Sequence, residues 1–369
     1  MRIIIKNYRY LFLSILISFA FAVPGKSQVS DTSFQFIHLF EKDSALQGGC
    51  FRIPSIVTAP NGDLIVAVDE RYNSCGDLKW NKNINIVIRR STDNGKTWLP
   101  LQTIVDLPIG QSASDPSMIV DQVTHEIFLF FNCMNLETEK DIYYLRYTSS
   151  KDNGKTWSDP VDITSQIETT GWHKDFKFIT SGKGVQSASG ELLHTIVNLQ
   201  KGLFVFGSKD HGKKWFLINQ AIKPADESQI TVLRNGVWMI NSRVNDAGLR
   251  YIHTSQNEGK SWDSYPDSSL ADPGCNAGLL NYTFQKNGAS IHLLLLSNAH
   301  SATERENMTI SVSLDDGKTW PIQKTIFKGN AAYSSITQLS NGDIGLVFEK
   351  DDYDKIVFVS IPFDWLVRE

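Results

Sequence analysis

The chain has 369 residues, is 41% hydrophobic and carries a formal net charge of −4. That is enough apolar material to bury a large core, in one large domain or two ordinary ones. The faintly acidic balance, with no basic stripe, excludes the electrostatic footprint of a nucleic-acid-binding protein.

The N-terminus differs from the rest. Arg2, Lys6 and Arg9 precede the apolar run LFLSILISFAFAV, and Ala20-Phe21-Ala22 offers a small-residue cleavage site. This is the pattern of a secretory signal peptide over residues 1–22, too short for a membrane span, with the mature chain starting near residue 23. No other stretch could cross a bilayer, so the expected destination is the periplasm or the medium. The four cysteines, Cys50, Cys75, Cys133 and Cys275, fit no zinc spacing. Either a disulfide, with three pairings of the four open, or four buried free thiols would suit them.

After an isolated strand near residues 35–40, short strands follow in a repeating order. They are punctuated five times by Ser-x-Asp-x-Gly-x-Thr-Trp, starting at Ser91, Ser150, Ser208, Ser255 and Ser313. The Thr is replaced in the third and fourth copies, and the fourth has Asn257 for Asp. An Asp side chain can bind backbone N–H groups two residues on, Gly supplies positive φ, and Trp is a plate suited to the gap between packed sheets. A fixed period of this kind signals a repeat architecture. Five units read as four strands with the turn between the third and fourth. A sixth unit has three, and the strand at 35–40 can complete it so that no sheet edge stays open. The expected fold is all-β: one six-bladed β-propeller over residues 23–369, four antiparallel strands per blade, its ring closed by the N-terminal strand.

That topology puts the repeat turns on one face. The starts of first strands, the ends of second strands and the 2–3 loops lie on the other. The second face collects Arg52, Arg71, Asp77, Asp115, Glu227, Arg243, Arg305 and Tyr333. One arginine at a strand end is ordinarily a surface group, but several in one concave mouth imply an anionic ligand, because guanidinium forks match carboxylates.

These residues carry a resemblance. Phe51-Arg52-Ile53-Pro54, the five Asp-box turns, Asp115-Pro116-Ser117, Asp226–Gln229, Asn241-Ser242-Arg243, the segment containing Arg305 and Tyr333-Ser334 resemble the bacterial-type exo-α-sialidases (neuraminidases) over essentially the whole mature chain. The resemblance implies that Arg52, Arg243 and Arg305 bind the substrate carboxylate. Tyr333 would be the nucleophile, Glu227 the base that activates it and Asp77 the general acid/base. Arg71 and Asp115 would contact the sugar, with Trp172 or Met118 lining its N-acetyl pocket. Substrates would be sialylated glycans, cleaved with retention and without metal or organic cofactor. A neutral Tyr suits an anomeric carbon bearing a carboxylate, which would repel an anionic nucleophile. The arginines should also favour the phenolate. Two alternatives share much of this pattern: a trans-sialidase, intermolecular or intramolecular, and a sialic-acid-binding propeller without activity. Trans-sialidases often add a lectin-like domain, and a degenerate binder would be expected to have lost one of the catalytic groups. The default oligomeric state is a monomer. Asn281 and Asn307 head glycosylation sequons, relevant only in a eukaryotic secretory route.

Overall fold

A computed structural model describes residues 34–286 and 288–368, so the signal-peptide reading of residues 1–22 lies outside the described residues. Those residues form an all-β structure whose strands fall into five hydrogen-bonded sheets in a propeller-like arrangement. Cys50–Thr58, Leu64–Arg71, Ile84–Ser91 and Gln102–Val105 make the first sheet, and Ser228–Val232 through Asp263–Ala271 make another of four strands. The remaining three depart from the four-strand expectation. Gly182–Lys183 joins the second sheet in parallel beside Gln111–Val120, and Val185–Gln186 adds a short side pairing to the third. The last sheet has seven strands, because Ile322–Gln338 is one 17-residue strand. Its first part pairs with Glu306–Ser313 and its second with Ile344–Lys350, whereas the sequence pattern suggested two separate strands there. The N-terminal strand Ile37–Glu41 pairs antiparallel with Lys355–Ile361, near the position read from sequence. No described helix is long and apolar enough to cross a membrane.

The core lies between sheets. One apolar cluster joins the first and second sheets through Ile65, Ile88, Leu129 and Phe131. A second joins the second and third through Phe128, Phe130, Phe206 and Trp215, and others continue in chain order. The first sheet meets the last through Phe51, Val66, Ile356 and Phe358. Each sheet therefore buries both faces against its neighbours in the chain, and the first packs on the last.

The repeat turns are part of that packing. In every copy the Ser hydroxyl accepts the Gly N–H at 2.8–2.9 Å. The Asp or Asn side chain accepts a backbone N–H four residues on at 2.9 Å. The Gly has positive φ, and so does the residue before it. A Cβ on Gly95, Gly154 or Gly212 would come within 2.2–2.5 Å of Phe358, Ile65 or Phe128 on the preceding unit. Each turn is thus a peg between units as well as a link within one. Leu64 pairs with Ser91 at the turn end of the first sheet, and Arg71 pairs with Ile84 at the other end. An eight-residue strand is about 26 Å long, so the turns stand well away from the face that carries Arg71.

Candidate active site

Three first strands break their ladders at this opposite face. The register shifts between Arg52 and Ser55, between Ser114 and Ser117, and between Ala331 and Ser334. A bulge re-aims side chains, and these three sit at Arg52-Ile53, Asp115 and Tyr333. Ile53 and Asp115 adopt positive φ (61° and 62°), a conformation costing about 1–3 kcal/mol for such residues. Buried carboxylates hold the bulges. Glu349 accepts the Ile53 N–H at 2.8 Å and the Tyr333 N–H at 3.1 Å. Asp69 accepts the Asp115 N–H at 2.9 Å.

Tyr333 is the hub. Its hydroxyl donates to Glu227 Oε2 at 2.5 Å and accepts from Arg243 Nη1 at 2.9 Å. Arg243 Nη1 also donates to Glu227 Oε2 at 2.5 Å. The guanidinium carbons of Arg305 and Arg52 lie 5.3 and 5.6 Å from the centre of the Tyr333 ring. Arg52 is further held by Glu349 at 2.6 Å and stacked over Tyr353 at 4.1 Å. Arg305 donates to Tyr353 Oη at 3.1 Å and to the Gly274 carbonyl at 3.0 Å. Burial works against all three arginine charges. Glu349 for Arg52, Glu227 for Arg243 and the nearby Cys275 and tyrosines for Arg305 outweigh it, so each guanidinium stays firmly charged.

Tyr333, Glu227, Arg243, Asp115, Asp77 and Ile53 line one open cleft, and Arg305 lines an adjoining recess with Glu349 and Tyr353. Its apolar wall is Leu78, Phe176, Phe178 and Leu199. On one flank Asp69 binds the buried Arg71 at 2.8 Å, and Arg71 reaches Asp77 at 2.7 Å. All eight residues singled out in the sequence therefore meet in one connected group.

Several expectations are corrected. Trp172 packs on Phe204 in the core and Met118 is buried between the first two sheets, so neither lines the cleft. Phe176 and Phe178 come instead from the strand Lys177–Ile179 and the residue before it, a stretch too short to show periodicity, and Leu78 and Leu199 come from turns. Tyr333 is not biased toward phenolate. Burial and the Glu227 charge push its hydroxyl well above the usual tyrosine range, against the pull of Arg243 and Arg305. Cys50 and Cys75 form a disulfide while Cys133 and Cys275 are free and buried, so the four-thiol alternative is set aside. Asp69, Glu349 and Tyr353 were missed. Glu349 sits at the end of a second strand, where the topological rule that found Arg71 and Arg243 also pointed.

The remaining carboxyls differ in protonation. Burial pushes Glu227 up, against the Arg243 ion pair. Burial would also raise Asp77, but Arg71 outweighs it and holds Asp77 below the usual range. Burial and then Asp69 push Asp115 up to about 8. An unfolded Asp titrates near about 3.9. The folded chain therefore binds this proton more tightly, and stability falls as pH rises from roughly 4 towards 8. Asp115→Asn removes that penalty. Its melting temperature should exceed wild type at pH 8, by roughly 1–3 kcal/mol of stability, and the gap should close towards pH 4. A gap of equal size at both pH values would show that the Asp115 charge carries no such penalty.

Comparison with known proteins agrees with this geometry. Residues 74–346 match the BNR repeat-like domain family. A sialidase of Bacteroides fragilis is 31% identical over 81% of this chain and 60% of its own length. A sialidase of Micromonospora viridifaciens is also 31% identical, over 84% of this chain and 52% of its own. The chain thus spans about half to three fifths of the length of these two relatives. Among solved structures, the Hadza microbial sialidase Hz136 superimposes with a TM-score of 0.79 at 28% identity, covering 90% of this chain and 69% of that one. The repeated turns, the propeller-like ring and the match over residues 74–346 place the chain in the BNR repeat-like domain family.

Proposed function

We propose that this protein is an exo-α-sialidase, hydrolysing terminal α-ketosidically linked sialic acids from glycans with retention of configuration. One observation carries the reading: a tyrosine hydroxyl shared between a buried glutamate and an arginine, with two further arginines against its ring. Arg52, Arg243 and Arg305 receive the substrate carboxylate, which sets the anomeric carbon beside Tyr333 Oη. Glu227 takes the phenolic proton as the oxygen attacks, so charge develops only in the transition state. Asp77 gives its proton to the departing glycosidic oxygen. In the second half-reaction Asp77 takes a proton from water, the water oxygen attacks the same carbon, and Tyr333 leaves and recovers its proton from Glu227. Arg71 and Asp115 contact the sugar. Because Arg71 holds unliganded Asp77 below the usual range, this ion pair must loosen as substrate binds, and Asp77 then takes up from solvent the proton that it donates.

The ring supports a six-bladed count when Ile322–Gln338 is taken as the outer strand of one blade and the inner strand of the next. Ile37–Glu41 then supplies the outer strand of the last blade. An experimental density map with another number of blades around the axis overturns that count. The N-terminal segment of residues 1–22 is read as an export signal. The test is fluorophore release from an umbelliferyl α-sialoside, using purified protein and the cytosolic and exported fractions of expressing cells. Release by the purified protein, with activity in the exported fraction, is the expected result. No release by folded protein overturns the sialidase reading, and activity confined to the cytosol overturns the export reading.

A further inference from the structure

Asp77 stands on a largely exposed loop. Of residues 72–83 only Leu78 and Asn81 are buried, and the Asp77 side chain is 79% exposed. Hydrogen bonds within the loop shape it: Trp80 N–H and Asn81 N–H donate to the Asp77 carbonyl, and Asn81 Nδ2 donates to the Tyr72 and Ser74 carbonyls. They do not fix its position relative to the arginines. Three links do. Asn73 N–H donates to the Leu46 carbonyl at 2.9 Å, Arg71 Nη1 donates to the Cys75 carbonyl at 2.8 Å, and Cys75 is bonded to Cys50.

The disulfide is placed to matter. Cys75 is two residues before Asp77, and Cys50 is two residues before Arg52. Cys50 also pairs directly across the sheet with Arg71. The two chain segments are already in contact here, since a Cβ on Gly49 would lie 1.8 Å from the Arg71 carbonyl oxygen. One covalent bond therefore joins the strand of a carboxylate-binding arginine to the loop of the proton donor. The other restraint on the Asp77 side chain is its ion pair with Arg71. An exposed carboxylate gains little from such a pair, and the pair must loosen when Asp77 turns to the substrate.

We propose that Cys50 and Cys75 are positioning residues for proton donation: their disulfide keeps Asp77 within reach of the leaving-group oxygen once its ion pair with Arg71 has loosened. This rests on the sialidase reading. The chemistry supplies a selective test, because a sugar hydroxyl needs a proton to depart whereas umbelliferone, an acidic phenol, leaves as its anion. In the first half-reaction, which kcat/KM reports, a displaced Asp77 therefore penalises a sialyl-oligosaccharide and spares an aryl sialoside.

The experiment compares wild type, Cys75→Ser and the double variant Cys50→Ala/Cys75→Ser on 3′-sialyllactose and on the umbelliferyl α-sialoside. In both variants kcat/KM on sialyllactose should fall about 10- to 100-fold, the scale expected when a catalytic group is misplaced by an ångström or so. On the aryl sialoside kcat/KM should stay within about threefold, since it reports only the steps up to departure of the leaving group, which there draw little on the acid, and not the later step in which Asp77 is the base. The aryl substrate also reports whether the variants have folded. Equal losses on both substrates, or no loss on either, overturn the positioning role while leaving the sialidase reading intact. Wild-type protein that cleaves neither substrate overturns the sialidase reading, and the positioning role with it.

Discussion

Replacing Tyr333 with Phe is expected to lower turnover of a sialoside about a thousandfold or more, the scale of losing a nucleophile. Affinity for free sialic acid should change little. The groups proposed to receive the carboxylate all remain: Arg243 keeps Glu227 at 2.5 Å, Arg52 keeps Glu349 at 2.6 Å, and Arg305 keeps the Gly274 carbonyl. The ring stays as well, so the stacking beneath Arg52 and Arg305 is preserved. Only the attacking oxygen is lost. Steady-state kinetics on the umbelliferyl sialoside, with sialic acid as competing inhibitor, separate the two quantities. Turnover within tenfold of wild type would remove Tyr333 from the nucleophile's place and leave the Glu227–Arg243 pair without an obvious purpose.

Glu349→Ala should be the most destabilising single change at the site, and it does not touch the attacking atom. Glu349 is fully buried and accepts four hydrogen bonds, from Arg52 Nε and Nη2 and from the Ile53 and Tyr333 N–H groups. Its removal strands a buried guanidinium and two backbone donors at bulges, the one at Ile53 in a strained conformation. Losing one partner of a buried ion pair costs roughly 3–5 kcal/mol. Denaturant unfolding should show that loss, and activity should fall with it as the Ile53 and Tyr333 bulges relax. Glu349→Gln keeps the shape and one acceptor oxygen, so it should recover part of the stability. An alanine variant as stable as wild type would mean that the bulges are held by something other than this carboxylate.

The two changes differ in how far they could be foreseen. Tyr333 was legible because the sequence pattern starts a first strand there, although the strand runs unbroken from Ile322 to Gln338, and the repeat turns at Ser91 through Ser313 set which strand ends share a face. Those turns are local objects. An Asp or Asn side chain, a Ser hydroxyl and a Gly make their bonds within eight residues, so their sequence alone specifies them. The same reading assigned Arg52, Arg71, Asp77, Asp115, Glu227, Arg243 and Arg305 to one face, and all seven meet Tyr333 there. It went astray where neighbours were needed. The resemblance implied Trp172 or Met118 for a pocket wall, yet both are in the core, because burial depends on what packs against a side chain in this fold.

What the sequence determined by itself was the periodicity, the face of the ring that carries the charged groups and the chemical character of that group. Tertiary structure alone decided which partners those groups have. Glu349 binds Arg52 across 297 residues of chain, and Cys50 bonds Cys75 while Cys133 and Cys275 stay free. It also decided that Tyr333 remains a phenol and that Asp115 holds its proton near neutrality. The reason is physical: a turn closes on bonds between near neighbours in the chain. Ion pairing, disulfide choice and proton affinity depend on distances and burial that exist only once distant strands are packed together.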